Sequence, residues 1–181
     1  AGRRNPDAEK ACGERPAAVE FDAAVLIVDV SRFTALVEQL SRRGHGGLEE
    51  VPRLLSLSYA RCAEHVGAHG GEVVCFAGDS LLAYWATRDD GQGDGGLGRA
   101  VREAIACADA ICRDRPAQGV LAGGAEPSLH LGIGAGNFWA AAVGSDGAWN
   151  LAAGGEAVVE AGKTLALARS WEYVLSEAAA K

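Results

Sequence analysis

The sequence contains no methionine, not even at position 1, and on that ground it reads as a piece of a longer chain. It has no long apolar run. The longest, Ala23 to Val28, is far too short to cross a bilayer, so no membrane span is expected. The first twenty residues are polar and charged and lack the apolar stretch of a secretory signal. Five cysteines (Cys12, Cys62, Cys75, Cys107, Cys112) form no CxxC pair and leave one over in any full pairing, so zinc spacing is absent and reduced thiols in the cytoplasm are expected. Positive charge is also short. With 17 Lys+Arg against 24 Asp+Glu and a formal net charge of −7, neither nucleic acid nor an anionic membrane is expected as a main partner. A phosphorylated small molecule held through metal ions stays open.

What is present is a globular composition: 181 residues, 49% hydrophobic and 23% charged, enough for one domain. Residues 1–20, with Pro6 and Pro16, read as a leader, and 21–181 as a single domain. The run from Ala23 to Val30 predicts a strand buried on both faces. Ser31 opens a predicted helix in which Phe33, Leu36, Val37 and Leu40 recur at helical spacing, ended by Gly44. A second helix is predicted from about Leu48 to His69, with Val51, Leu55, Cys62 and Val66 near one stripe and Gly70-Gly71 as its stop. A hairpin follows, Glu72–Phe76 and Ser80–Trp85 around Ala77-Gly78-Asp79. Beyond a Gly/Asp loop at 87–98, a third helix covers about Arg99 to Arg113. Leu129–Ala135 and Phe138–Val143 read as two strands around Gly136-Asn137, then come a polar loop, a helix over about Glu156–Arg169 and a short strand, Trp171–Leu175. The order contains βαββαβ. It predicts an α+β, ferredoxin-like core: a mostly antiparallel sheet with helices on one face.

Two carboxylates stand out. Asp29 ends an otherwise apolar strand, and Asp79 sits at a hairpin tip behind a glycine. In a βαββαβ sheet the first strand and that hairpin can be neighbours. Two carboxylates at one sheet end can hold two Mg²⁺ ions that keep open positions for water and phosphate oxygens. The helix start at Ser31-Arg32-Phe33-Thr34 offers backbone N–H groups to phosphate. A plainer reading makes Asp29 or Ser31 a helix cap and Asp79 a turn residue. Other motifs carry less. Asp90-Gly-Gln-Gly-Asp94-Gly95 begins like a calcium loop, but its twelfth position is Val101. Gly132, Gly134 and Gly136 fit close backbone packing better than a dinucleotide site. His65 and His69 read as a solvated helix face rather than a metal site.

The segments Val25-Leu-Ile-Val-Asp-Val-Ser-Arg-Phe-Thr-Ala-Leu36 and Gly70-Gly-Glu-Val-Val-Cys-Phe-Ala-Gly-Asp-Ser-Leu-Leu-Ala-Tyr-Trp85 resemble the class III adenylyl/guanylyl cyclase catalytic domain. The resemblance runs from about residue 22 to 176. It is nearest to the first of the two cyclase domains of soluble, bicarbonate-responsive adenylyl cyclases. It implies that Asp29 and Asp79 bind two ions, Mg²⁺ or Mn²⁺, with the carbonyl of Val30 as a further ligand. Ser31, Arg32, Phe33 and Thr34 would then face the triphosphate. His130 stands where the related enzyme has a phosphate-facing Lys. The reaction implied is attack of the ribose 3′-hydroxyl of ATP on the α-phosphate, giving cyclic AMP and pyrophosphate in a dimeric assembly.

The second half of such a site is lost or weakened. The base-reading Lys is replaced by Cys75, the second base-reading position by Ala152, the ribose Asn by Val159 and the transition-state Arg by Lys163. The resemblance therefore implies a half-domain that works with a complementary cyclase domain, expected in the same polypeptide. A homodimer of this chain would be inactive or very slow. Because the bicarbonate-binding Lys and Arg fall at Cys75 and Gly162, no bicarbonate response by that route is expected. Two alternatives stay open: a catalytically silent cyclase-homology module that dimerises, and a guanylyl cyclase half-domain.

Overall fold

The computed structural model describes residues 18–31, 37–38, 42, 45–87, 96–114, 128–145 and 148–181. The strands are β1 (Ala18–Ser31), β2 (Glu72–Ala77), β3 (Ser80–Ala86), β4 (Ser128–Ser145), β5 (Ala148–Gly154) and β6 (Glu172–Leu175). The helices are α1 (His45–Ala68), α2 (Leu97–Arg113) and α3 (Glu156–Leu165). The sheet order is β2-β3-β1-β4-β5, all antiparallel, with β6 added parallel to β4. This is the expected α+β arrangement, with β1 in the centre between β3 and β4.

The alternation of β1 divides the core. Ala24, Leu26, Val28 and Val30 face one side, where Cys62 and Val66 of α1 and Ala104, Cys107 and Ile111 of α2 cover them. Ala23 and Val25 face the other side and pack with Phe138 and with Ala157 and Ala161 of α3. The expectation of helices on one face is therefore corrected: α3 lies on the opposite face from α1 and α2. The glycines of β4 allow this. A Cβ on Gly132 would overlap the carbonyl of Ala161 and stand 2.5 Å from the nitrogen of Leu165. A Cβ on Gly134 would overlap the carbonyl of Ala157 and stand 2.5 Å from the nitrogen of Ala161. The helix backbone thus rests directly on the strand, as the close-packing reading of these glycines anticipates.

Several boundaries differ from expectation, among them the last helix, α3, which ends at Leu165 rather than near Arg169. β1 takes in Ala18–Glu20, paired with Ala141, Ala140 and Trp139, so the segment read as a leader already contributes to the sheet. Ser31 is the last residue of β1, paired with Ser128, rather than the first of a helix. Of the helix expected after it, Val37 and Glu38 are helical, and Arg32 to Leu36 lie outside the described residues. Gly136-Asn137 is no turn. β4 runs through it, because β1 pairs continuously with residues 128–141, and the reversal comes between β4 and β5 instead. β5 occupies what reads as a polar loop. The calcium-like segment 90–95 lies outside the described residues.

Arg61, His65 and Asp114 tie α1 to the end of α2. The Nε of Arg61 donates to Asp114 Oδ2 at 3.0 Å, another guanidinium nitrogen pairs with Oδ1, and His65 Nε2 lies 3.1 Å from Oδ2. His65 is therefore engaged with a carboxylate rather than simply solvated. The hydrogen bonds from His65 and Arg61 hold the Asp114 carboxyl below its ordinary value. A depressed folded pKa gives stability that is present above the unfolded value, about 3.9, and is lost as pH falls through the folded one. Asp114→Asn is expected to lower stability at neutral pH by the modest amount of an exposed pair, about 0.2–1 kcal/mol, seen as a small drop in thermal midpoint. The gap from wild type should close in acid, and parallel melting curves across that range check it.

Candidate active site

Asp29 is third from the end of β1, directly opposite Ser80 of β3 on one side and His130 of β4 on the other. Asp79 is the second residue of the two-residue loop that joins β2 to β3. Gly78, the first, takes φ +64, the left-handed region where such hairpin loops favour glycine. The turn is fastened to β1, since the backbone N–H of Val30 donates to the carbonyl of Asp79 at 3.1 Å. Two acids far apart in sequence therefore meet at one end of the sheet.

Ser80 Oγ donates to Asp29 Oδ1 at 2.5 Å, which fixes the Asp29 carboxylate. Ser80 carries no motif of its own, and its place opposite Asp29 follows from the register of β1 with β3. Asp79 is a turn residue, as the plainer reading has it, and the residues that would show whether Asp29 caps a helix lie outside the described residues. Burial raises the Asp29 carboxyl above its ordinary value, and the Ser80 hydrogen bond lowers it. The negative charge of Asp79 raises it again, while His130 lowers it. The site thus holds two mutually repelling carboxylates, an arrangement that a cation relieves.

The fit to divalent ions can be judged from the donor set. Among the described residues no group of three or more His, Cys, Asp or Glu gathers as a closed metal cage. A pair of carboxylates with open sides suits Mg²⁺ or Mn²⁺, which keep water and accept phosphate oxygens, better than it suits structural zinc. The side chain of Val30 is buried in the core. Arg32, Phe33 and Thr34 lie outside the described residues, and so do the side-chain surroundings of Ser31.

The second-half positions lie on other elements. Cys75 is half-buried on β2 opposite Leu82, and Ala152 is on β5 opposite Ala141. Val159, Gly162 and Lys163 are on α3, where Val159 is 57% exposed. Lys163 Nζ donates to Glu160 Oε1 at 2.7 Å, and this bond raises the amine above its ordinary value. Tyr59 of α1 packs on Phe76 of β2, with ring centroids 5.5 Å apart. Cys62 and Cys107, pushed up to about 12 by burial, are inert core thiols. No helix among the described residues is long and apolar enough to cross a membrane.

With β1, the β2–β3 hairpin and the two acids so placed, the fold is that of class III nucleotide cyclase catalytic domains. No protein-family model matches the chain. It superposes on the adenylyl cyclase CyaB from P. aeruginosa with a TM-score of 0.66 at 19% identity, covering 90% of this chain and 80% of that one. On the guanylate cyclase domain of RhGC from Catenaria anguillulae, solved in complex with GTP, the TM-score is 0.70 at 17% identity, over 89% and 81% of the two chains. In sequence the chain is similar to adenylate cyclase type 10 of Homo sapiens and of Rattus norvegicus, 38% identical over 74 residues in each case. That stretch is 40% of this chain and 5% of each relative.

Proposed function

We propose that this chain supplies the metal-binding half of an adenylyl cyclase, which converts ATP to cyclic AMP and pyrophosphate together with a complementary cyclase domain. The observation that carries the reading is the pair Asp29 and Asp79 at one sheet end, close enough that the charge of one raises the carboxyl of the other. In this reading both carboxylates and the Val30 carbonyl hold two ions, Mg²⁺ or Mn²⁺. When bound, those ions would neutralise charge on the departing pyrophosphate and make the ribose 3′-hydroxyl more acidic. Ser80 orients Asp29. His130, next to Asp29 across the strand pair, and the segment Ser31–Thr34 face the phosphates.

The need for a partner is supported by chemistry at the second-half positions. A thiol at Cys75 and a methyl at Ala152 cannot read a purine edge. Val159 has nothing to offer a ribose, and Lys163 is already paired with Glu160. Large apolar side chains stand exposed at Phe76, Val143, Leu151 and Val159, and some of them would be covered by a partner domain. Since base recognition would come from that partner, a guanylyl cyclase assembly is also consistent with this half. The same losses favour a second reading, a silent cyclase-homology module.

The chain alone, given ATP or GTP with Mn²⁺, is expected to form cyclic nucleotide at or near background. Mixed with a cyclase domain that carries the missing Lys, Asp or Thr, Asn and Arg, it is expected to gain at least about a hundredfold. Robust turnover by the chain alone would refute the need for a partner. A complete lack of metal-dependent nucleotide binding in the mixture would favour the silent module.

A further inference from the structure

β3 turns Ser80, Leu82 and Tyr84 to the same sheet face as Asp29, Ile27 and Val25 of β1. Leu82 and Tyr84 pack apolar surface there, and the Tyr84 hydroxyl donates to Glu72 Oε2 at 2.9 Å. Ser80 has almost no apolar surface to bury, and a β-branched residue would suit the strand better. Packing and strand preference therefore leave it unexplained. What its side chain does is donate to Asp29 Oδ1 at 2.5 Å, the length of a hydroxyl bonded to a charged carboxylate. The donor is held from both sides. Ser80 and Asp29 are register partners, and one step along the pair the Val30 N–H is bonded to the Asp79 carbonyl at 3.1 Å. Backbone pairing thus sets the separation of hydroxyl and acid. The bond takes one of the carboxylate's about four lone-pair sites, so it can coexist with a bound cation.

We propose that Ser80 is a positioning residue that sets the divalent-ion affinity of the candidate active site: its hydroxyl holds the Asp29 carboxylate in its ion-binding orientation before a cation arrives and keeps that bond once the cation is there. The inference rests on the two-carboxylate reading above and goes further than it. It makes a residue that touches neither ion nor nucleotide govern capture of the ion. Hydrogen bonds to ligating carboxylates act in this way at metal sites, where losing one costs about ten- to a hundredfold in affinity.

The experiment titrates the chain with Mn²⁺ in the presence of inorganic tripolyphosphate, following the paramagnetic resonance signal of free Mn²⁺. Tripolyphosphate needs no base-reading partner. Wild type, Ser80→Ala, Ser80→Thr and Asp79→Asn are compared well below the lowest of their metal-free thermal midpoints, so that every variant is folded. Ser80→Ala is expected to bind Mn²⁺ at least about tenfold more weakly. Ser80→Thr keeps the hydroxyl and suits a strand, so it should bind within about threefold of wild type. The metal-free midpoint of Ser80→Ala should drop by only about 2–4 °C, the scale of one lost hydrogen bond. Unchanged or tighter binding by Ser80→Ala overturns the proposal, and so does a Ser80→Thr variant that binds as weakly as Ser80→Ala. A midpoint of Ser80→Ala that falls by more than twice the expected amount also overturns it, because the residue would then be holding the hairpin rather than the acid. If Asp79→Asn loses binding while Ser80→Ala keeps it, only the part given to Ser80 is refuted. If wild type takes up no Mn²⁺, the two-carboxylate reading fails and this inference falls with it.

Discussion

Asparagine in place of Asp79 is expected to cut cyclic nucleotide formation by the reconstituted assembly about a thousandfold. That corresponds to roughly 4 kcal/mol of transition-state stabilisation, the scale of a metal–oxygen contact on a developing phosphate charge. The substitution keeps the size of the side chain and removes its charge. It also removes the repulsion that raises the Asp29 carboxyl, so the metal-free domain should melt no earlier than wild type. The loss should therefore appear in Mn²⁺-dependent rate and not in the melting curve. Asp29→Asn is expected to behave alike in rate. Asp114→Asn, a carboxylate engaged between α1 and α2, should leave the rate unchanged. A variant at position 79 that retains its rate within a few-fold would remove the two-ion reading.

The largest effect on stability is expected at Gly134. Its alanine variant would drive a methyl group into the carbonyl of Ala157 and against the nitrogen of Ala161. Both obstacles are helix backbone, so no side chain can swing aside; α3 must lift from the sheet or the strand must bend. Overpacking of this kind costs about 3 kcal/mol or more. For a chain of this size such a loss lowers the thermal midpoint by about 6–12 °C. Gly67→Ala is the control, because a Cβ there meets nothing within 4 Å. If Gly134→Ala melts with wild type, α3 does not rest on β4 as described.

Much of this architecture is written locally. The β2–β3 hairpin is found within one residue at its outer ends, because turn chemistry at Gly78 and alternation in Ser80–Ala86 act over short distances. The core stripe of α1 and the span of α2 follow from helical spacing in the same way. The failures are non-local. Gly136-Asn137 has the chemistry of a hairpin turn, yet β1 pairs on both sides of it and holds the strand straight. β5 shows only weak alternation and becomes a strand because β4 extends far enough to pair with it. The side on which α3 packs is set by Gly132 and Gly134 meeting a helix more than twenty residues later. At the site, the two acids were legible from their positions and from the family resemblance. The Ser80 contact was recoverable from register alone. The link from Arg61 and His65 to Asp114 joins two helices and leaves no trace in either.

The hydrogen bond from Val30 to the carbonyl of Asp79 has a thermodynamic consequence. It fastens the hairpin tip to the central strand, so the backbone segments carrying the two acids form one frame before any cation arrives. The chain entropy lost in bringing those segments together is settled during folding and does not weigh against ligand capture. An incoming ion pair then meets a preorganised anionic cradle, and its affinity should depend little on temperature-driven loosening of the chain until the sheet itself melts.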